Sequence, residues 1–203
     1  MATDSELFAA WQAGDAEAGD ELVGRHFAAV ARFFRNKVAT GGEDLIQHTF
    51  LGCLEARARF RQESSFRTFL FSIARNVLLA HLRTLRRAHD RQVDFGVSSL
   101  FDLDPSPSQI VAREQEQQLL LDALRRLPVD LQLALELFYW EGLPLAELAQ
   151  VLEVPPGTVK SRLFRARQQL KEQLEQLART PALLRDTLER IDALDRAAAE
   201  RGA

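Results

Sequence analysis

One stretch of this chain leaves few choices of fold. Leu145, Leu148, Ala149 and Leu152 fall at i, i+3, i+4 and i+7, the apolar stripe of a short surface helix. Gly142 and Pro144 mark where a preceding helix stops and this one begins. Pro155-Pro156-Gly157 then interrupts the chain, and proline is tolerated in the first turn of a new helix. Beyond it, Val159, Leu163, Ala166 and Leu170 make a second inward face. Lys160, Ser161, Phe164, Arg165 and Arg167 are left pointing outward or at the flank. Between positions 160 and 171 there are five basic residues and no acid. Two helices joined by a tight turn, the second basic on its outer side, read as a helix-turn-helix whose second helix enters a DNA major groove. Arginine or lysine to guanine is the commonest specific contact there, each good pair giving about 1–3 kcal/mol of discrimination. The ordinary alternative is a solvated basic helix face. The short first helix, the Pro-Gly turn and the acid-free second helix occur together, which favours DNA.

Composition narrows the setting. The chain has 203 residues, enough for two small domains or one larger one, and 46% are hydrophobic, enough for a core. The net charge of −3 supplies no global basic field, so any DNA affinity comes from local patches. The one cysteine, Cys53, lies in an apolar helical stretch, reads as core and permits no internal disulfide, which fits a cytoplasmic location. No signal peptide is legible, and no apolar run approaches the ~20 residues needed to cross a bilayer, so no membrane insertion is expected. His26, His48, His81 and His89 are scattered without ligand spacing. There is no Cys/His cluster for zinc and no glycine-rich phosphate loop. Tyr139 sits in the apolar run Leu137-Phe138-Tyr139-Trp140 and reads as core. The sequence therefore predicts no catalytic residue, no metal ligand and no cofactor, and a protein that is not an enzyme.

The periodicity is helical almost everywhere, which predicts an all-α fold. Residues 4–13 form a short helix capped by Asp4 or Ser5, with Leu7, Phe8 and Trp11 on one side. Residues 17–39 carry the stripe Leu22, Val23, Phe27, Val30, Ala31 and Phe34, and Gly41-Gly42 ends that helix. Residues 43–58 place Leu45, Ile46, Thr49, Phe50, Cys53 and Leu54 on one side. After a break at 60–65, with Ser64 or Ser65 as N-cap, a helix runs to about residue 88 with the stripe Phe66, Phe69, Leu70, Ile73, Val77 and Leu78. From 93 to 110, serine, aspartate and proline cluster and the period is lost. Six acids and one arginine occupy 93–122, just after the basic Arg83, Arg86, Arg87 and Arg91. Helices at 112–127 and 129–141 follow, and these two plus the helix-turn-helix make a compact four-helix domain. Thr180-Pro181 caps a last amphipathic helix with Leu184, Leu188, Ile191 and Leu194 on one side. The expected organisation is two small helical domains, 1–92 and 112–177, joined by an acidic flexible linker, 93–111, with a C-terminal helical extension, 178–203. That extension either packs on its own domain or serves as a partner-binding or autoregulatory helix.

Two blocks of sequence carry a family resemblance. Asp44-Leu45-Ile46-Gln47-His48-Thr49-Phe50, with the run from Phe60-Arg61-Gln62-Glu63-Ser64-Ser65-Phe66 to Ile73-Ala74-Arg75-Asn76, is similar to conserved region two of bacterial sigma factors. The segment from Leu127-Pro128 to Glu141-Gly142-Leu143, with 157–167, resembles region four. Two domains with only a short linker resemble the extracytoplasmic-function (ECF) group of the sigma-70 family, over about residues 5–177. The resemblance implies an initiation factor that binds core RNA polymerase through the beta-prime clamp and the beta flap. It would also bind promoter DNA, and an anti-sigma factor is a further partner it admits. Asp44, Gln47 and Phe50 match the helix that docks on the clamp; Asp44 and Gln47, three apart, share a helix face, although an aspartate early in a helix is favoured by the macrodipole alone.

The same resemblance distributes the DNA contacts. Phe60 and Asn76 match a pocket for a flipped-out base of the minus-ten element, with Arg61, Ser64 and Ser65 nearby. An unstacked base wants an aromatic wall and polar groups for its edge, though core is the commoner fate of a phenylalanine. Arg83, Arg86 and Arg87 are candidates for duplex phosphates. Lys160, Ser161, Phe164 and Arg165 match minus-thirty-five contact positions, with Arg162 and Arg167 better placed for phosphates. The acidic linker matches a segment that in this family threads toward the polymerase active-site and RNA-exit channels. His48 departs from the family's usual Glu, and Gly52-Cys53-Leu54 replaces a stretch that often carries Trp. The competing function is a stand-alone helix-turn-helix transcriptional regulator. It explains the C-terminal domain but not the two N-terminal blocks.

Overall fold

The computed structural model describes residues 2–38, 41–60, 64–91 and 112–201, with side chains left out at 88–91, 112–114, 195 and 197–201. The acidic segment 93–111 and Arg61 lie outside the described residues. The described residues are helical with short connections, and no strand occurs among them. The chain divides into two compact units, Met1–Leu100 and Phe101–Ala203.

The first unit holds α1 (Asp4–Gln12), α2 (Ala16–Arg35), α3 (Gly42–Ala56), a 3-10 turn (Arg57–Arg59) and α4 (Phe66–Arg91). Its boundaries follow from caps. Thr3, not Asp4 or Ser5, caps α1: its Oγ1 accepts from the Glu6 amide at 3.2 Å, and Glu6 reaches back to the Thr3 amide at 2.7 Å. This reciprocal pair satisfies two orphan donors of the first turn and holds the Glu6 carboxyl below its ordinary pKa, first through the Thr3 amide. Asp15 caps α2 at the Ala18 amide, 3.2 Å away. The α2 helix stops at Arg35, short of the expected 39, and Lys37 folds back to donate to the Phe33 carbonyl at 2.7 Å. Ser65 caps α4, accepting from the Thr68 amide at 3.2 Å.

The core of this unit is aromatic, with Phe8, Phe33, Phe34, Phe66 and Phe71 buried around Leu22, Leu70 and Leu78. Three helix faces differ from the sequence expectation. Phe27 is 52% exposed and Leu54 is 45% exposed rather than packed inward. In α4 the fully buried face runs through Phe66, Leu70, Phe71, Ala74 and Leu78, while Phe69, Ile73 and Val77 are half-buried. A broad apolar helix reads the same over a rotation of one position, and only the neighbours decide which side is covered. Two glycines set close approaches. A Cβ at Gly52 would lie 2.9 Å from Ile73 Cγ2, between α3 and α4. A Cβ at Gly19 would collide with the Trp11 indole, between α1 and α2.

The second unit holds α5 (Ala112–Arg125), α6 (Val129–Tyr139), α7 (Leu145–Leu152), α8 (Pro156–Leu177) and α9 (Pro181–Arg201). The α8 helix is its axis, touching each of the other four. The α6 helix is buried almost all round, from Leu131 to Leu137 and at Tyr139. Pro128 opens α6 with its carbonyl, which accepts from the amides of Leu131 and Gln132 at 2.9 and 3.0 Å. The turn between α7 and α8 is Glu153-Val154-Pro155, with Glu153 in the left-handed region at φ 54°. Gly157 does not form that turn; it lies inside the first turn of α8, where Pro156 occupies an early position whose missing amide costs nothing. The α9 helix, capped by Thr180 on the Leu183 amide at 3.2 Å, packs on α5, α6 and α8.

Candidate nucleic-acid interface

In the first unit, the fold builds a pocket where the sequence offered a loop. Residues Asp4, Ser5, Phe8, Phe60, Ser64, Ser65, Phe66 and Arg67 line a concavity of about 170 Å³. Its floor is aromatic. Phe60 stacks on Phe69 with centroids 4.3 Å apart and meets Phe8 edge-on at 5.2 Å. Phe8 in turn lies 5.5 Å from Phe66. The polar residues of its lining are Asp4, Ser5, Ser64, Ser65 and Arg67. Phe60 is held from behind: Gln12 at the end of α1 donates to the carbonyls of Arg57 and Phe60 at 2.6 and 3.0 Å. Arg57 also lies over the Trp11 ring, 5.5 Å from its centroid.

Three of the five candidates for the flipped-base pocket therefore meet in one place: Phe60, Ser64 and Ser65. Asn76 does not join them. It is exposed on α4, ten residues beyond Phe66, about 15 Å at the helical rise, with its Oδ1 accepting from Arg75 at 3.4 Å. Arg83, Arg86 and Arg87 are exposed toward the far end of the same helix. The sequence reading missed Asp4, Ser5 and Phe8 as pocket residues. No local pattern marks them, because they lie more than fifty positions upstream of Phe60.

A second surface of this unit is apolar. Asp44 and Gln47 stand exposed on α3, and on the same side lie Leu51 at 53% and Leu54 at 45% exposure. Phe50 is half-buried and stacks nearly parallel on the exposed Phe27, with centroids 6.2 Å apart. A row of bare leucines beside a carboxylate and an amide is the composition of a protein contact. Phe27 was not legible as part of it, because it fits an inward stripe equally well, and Leu51 was assigned to neither face. Behind it Cys53 is fully buried, and desolvation pushes its thiol up to about 12. A thiol so placed is inert at neutral pH.

In the second unit the outer side of α8 presents Lys160, Ser161, Phe164 and Arg165 to solvent, with Phe164 at 55% exposure. The inward row Val159, Leu163, Ala166 and Leu170 is buried, as the spacing predicts. Arg162 and Arg167 are different. Arg162 Nε lies 3.8 Å from the Asp130 carboxylate, and Arg167 donates to the buried Tyr139 hydroxyl at 2.9 Å. Both are half-buried flanking residues that brace α8 on α6. Among the described residues no group of His, Cys, Asp and Glu is placed to hold a metal, and no helix is long and apolar enough to cross a membrane.

An aromatic-pocketed helical unit followed in the chain by a helix-turn-helix unit defines a two-domain class of DNA-binding transcription proteins. Comparison with known proteins makes the class specific. The Sigma-70 region 2 model matches residues 22–88, and the Sigma-70, region 4 model matches residues 117–170. The RNA polymerase sigma-H factor of Pseudomonas aeruginosa is 32% identical over 188 residues, covering 87% of this chain and 96% of that one. The ECF RNA polymerase sigma-E factor of Haemophilus influenzae is 32% identical over 185 residues, covering 86% and 97%. Among solved structures, the sigma factor RpoE of Bartonella quintana, in complex with the anti-sigma factor NepR, matches with a TM-score of 0.63 at 25% identity, over 77% of this chain and 96% of that one. CnrH, in complex with the cytosolic domain of CnrY, matches with a TM-score of 0.62 at 25% identity, over 85% and 97%. The chain belongs to the sigma-70 family of RNA polymerase sigma factors, in its extracytoplasmic-function group.

Proposed function

We propose that this sigma factor binds core RNA polymerase through the exposed face of α3, reads the minus-thirty-five element with α8 and captures a base of the melted minus-ten strand in the Phe60 pocket. The observation that carries the reading is the pocket itself: an aromatic floor with polar residues in the same lining, the surroundings an unstacked base requires. Base stacking on an aromatic contributes about 1–3 kcal/mol. Lys160, Ser161 and Arg165 supply the polar contacts to base edges and backbone on α8, and Phe164 offers an apolar surface to a thymine methyl. Arg83, Arg86 and Arg87 hold duplex phosphates and position the chain without reading sequence. Arg162 and Arg167 act mainly by bracing α8, since each already has a protein partner. Asp44, Gln47 and Phe50, with Leu51 and Leu54, form the surface for the beta-prime clamp, and the second unit meets the beta flap. The protein performs no covalent chemistry and works in the cytoplasm, where the polymerase is. An anti-sigma factor is a further partner, as the RpoE of Bartonella quintana carries one.

The test is reconstitution. The purified chain is mixed with core RNA polymerase and assayed by runoff transcription on a promoter library. Specific transcripts that depend on the chain support the reading. A symmetric footprint on duplex DNA from the chain alone, with no polymerase binding, assigns it to the stand-alone regulators instead.

A further inference from the structure

The pocket has a wall that the loop and α4 do not supply. Asp4 and Ser5, in the first turn of α1, complete its rim. The α1 helix is fixed there from two sides. The Asp4 carboxylate accepts from Arg25 Nη1 at 3.1 Å and lies 2.6 Å from His26 Nε2, both on α2. At its other end Gln12 holds the Phe60 carbonyl. The wall is therefore a placed element of the site.

A carboxylate is an unusual group to find where DNA enters. Beside Asp4 a base edge is better accommodated than a phosphate, which Arg67 of the same lining can meet instead. An ionised carboxylate only accepts hydrogen bonds, and it has about four lone-pair sites. Arg25 and His26 each engage one oxygen, and the Asp4 side chain keeps 32% of its surface exposed. Adenine, cytosine and guanine each offer an exocyclic amine, whose two N–H groups suit such an acceptor. Thymine has no amine: its pairing edge sets one N–H between two carbonyl oxygens, which a fixed carboxylate repels.

We propose that Asp4 is a specificity-determining residue of the strand-capture pocket, selecting a flipped base that carries an exocyclic amine and rejecting thymine. The proposal rests on the pocket reading given above. It adds a residue on α1, outside the span that the region-two model matches, and the class of base that residue takes.

The experiment measures binding of fluorescent single-stranded nontemplate oligonucleotides to holoenzyme reconstituted from the full chain and core polymerase. Each minus-ten position is varied in turn through the four bases and 5-methylcytosine. At one position thymine should bind about tenfold more weakly than the amine-bearing bases, the scale of one good base-edge contact. There 5-methylcytosine should bind like cytosine; if it behaves like thymine, the pocket rejects the methyl group and the proposal fails. Asp4→Asn, whose amide can donate to a thymine carbonyl, should bring thymine within about twofold of the others. Arg25→Gln loosens the same ion pair but leaves the carboxylate, and should keep the discrimination. Equal loss in both variants makes Asp4 a structural strut and overturns the proposal. The underlying reading fails separately: a Ser64→Phe variant, which fills the pocket, would then bind every oligonucleotide as the unaltered chain does.

Discussion

The two candidate DNA-binding surfaces are built in opposite ways. The α8 surface is convex and comes from one helix, so Lys160, Ser161, Phe164 and Arg165 are set by the helical repeat alone. The Phe60 pocket is concave and needs three separate pieces of chain: α1, the segment ending at Ser65, and the first turn of α4. A convex reader tolerates small movements of its neighbours, because its side chains reach outward. A pocket changes shape whenever one wall shifts. Damage to packing in the first unit should therefore abolish strand capture while leaving the second unit's surface intact.

The strongest test of that difference is Gly19→Ala. The new methyl group meets the rigid Trp11 indole, and overpacking of this kind costs about 1–3 kcal/mol. We expect α1 to move off α2, a lower melting temperature and loss of open-complex formation, with minus-thirty-five binding by the second unit unchanged. Equal loss at both elements would show that the surfaces do not act separately. Phe60→Ala removes the stack on Phe69 and the surface offered to a base. Strand capture should weaken by about 1–3 kcal/mol, read as slower promoter opening at constant duplex affinity. Arg165→Ala should cost a similar or smaller amount and only at particular minus-thirty-five sequences; uniform loss across a promoter set would assign Arg165 to phosphate contact. Glu153→Gly sharpens the comparison from the other side. Glycine relieves the left-handed backbone at φ 54° and should stabilise the second unit by about 0.5–1 kcal/mol, seen as a higher unfolding midpoint without change in promoter choice.

A last effect appears only at alkaline pH. Burial raises the Cys53 thiol to about 12 from an ordinary 9.0. Between those values the unfolded chain loses this proton and the folded one keeps it, so stability falls as pH rises through the window. Cys53→Ala should flatten that alkaline decline, measured by denaturant titration at several pH values.

The same contrast explains what was legible in the sequence. The buried face of α8 was readable to the residue, because Val159, Leu163, Ala166 and Leu170 repeat along one helix; the turn before it was not, since Gly157 lies inside α8. Helix type was readable throughout, from apolar spacing and from caps such as Thr180. Which side of α4 is buried was not: Phe69 and Phe71 differ by two positions, and only the packing of α2 and α3 decides between them. Nor was the exposure of Phe27 and Leu54, since an interaction surface and a core stripe use the same residues. Phe60, Ser64 and Ser65 carried a family signal, but Asp4, Ser5 and Phe8 reach the pocket through tertiary folding. Arg162 and Arg167 looked like solvent-facing cations because Asp130 and Tyr139, their partners, lie on another helix.

The packing of α9 has a consequence for the order in which the protein takes shape during synthesis. Its partners include α5, the first helix of its own unit, tied to it by Arg190 and Glu116 at 3.3 Å. All helices of the pocket-bearing unit precede them in the chain. Domains fold as they leave the ribosome, the N-terminal one first. The Phe60 pocket is thus complete while α9 is still being translated. The second unit must hold its other helices together until α9 emerges and packs on α5, α6 and α8.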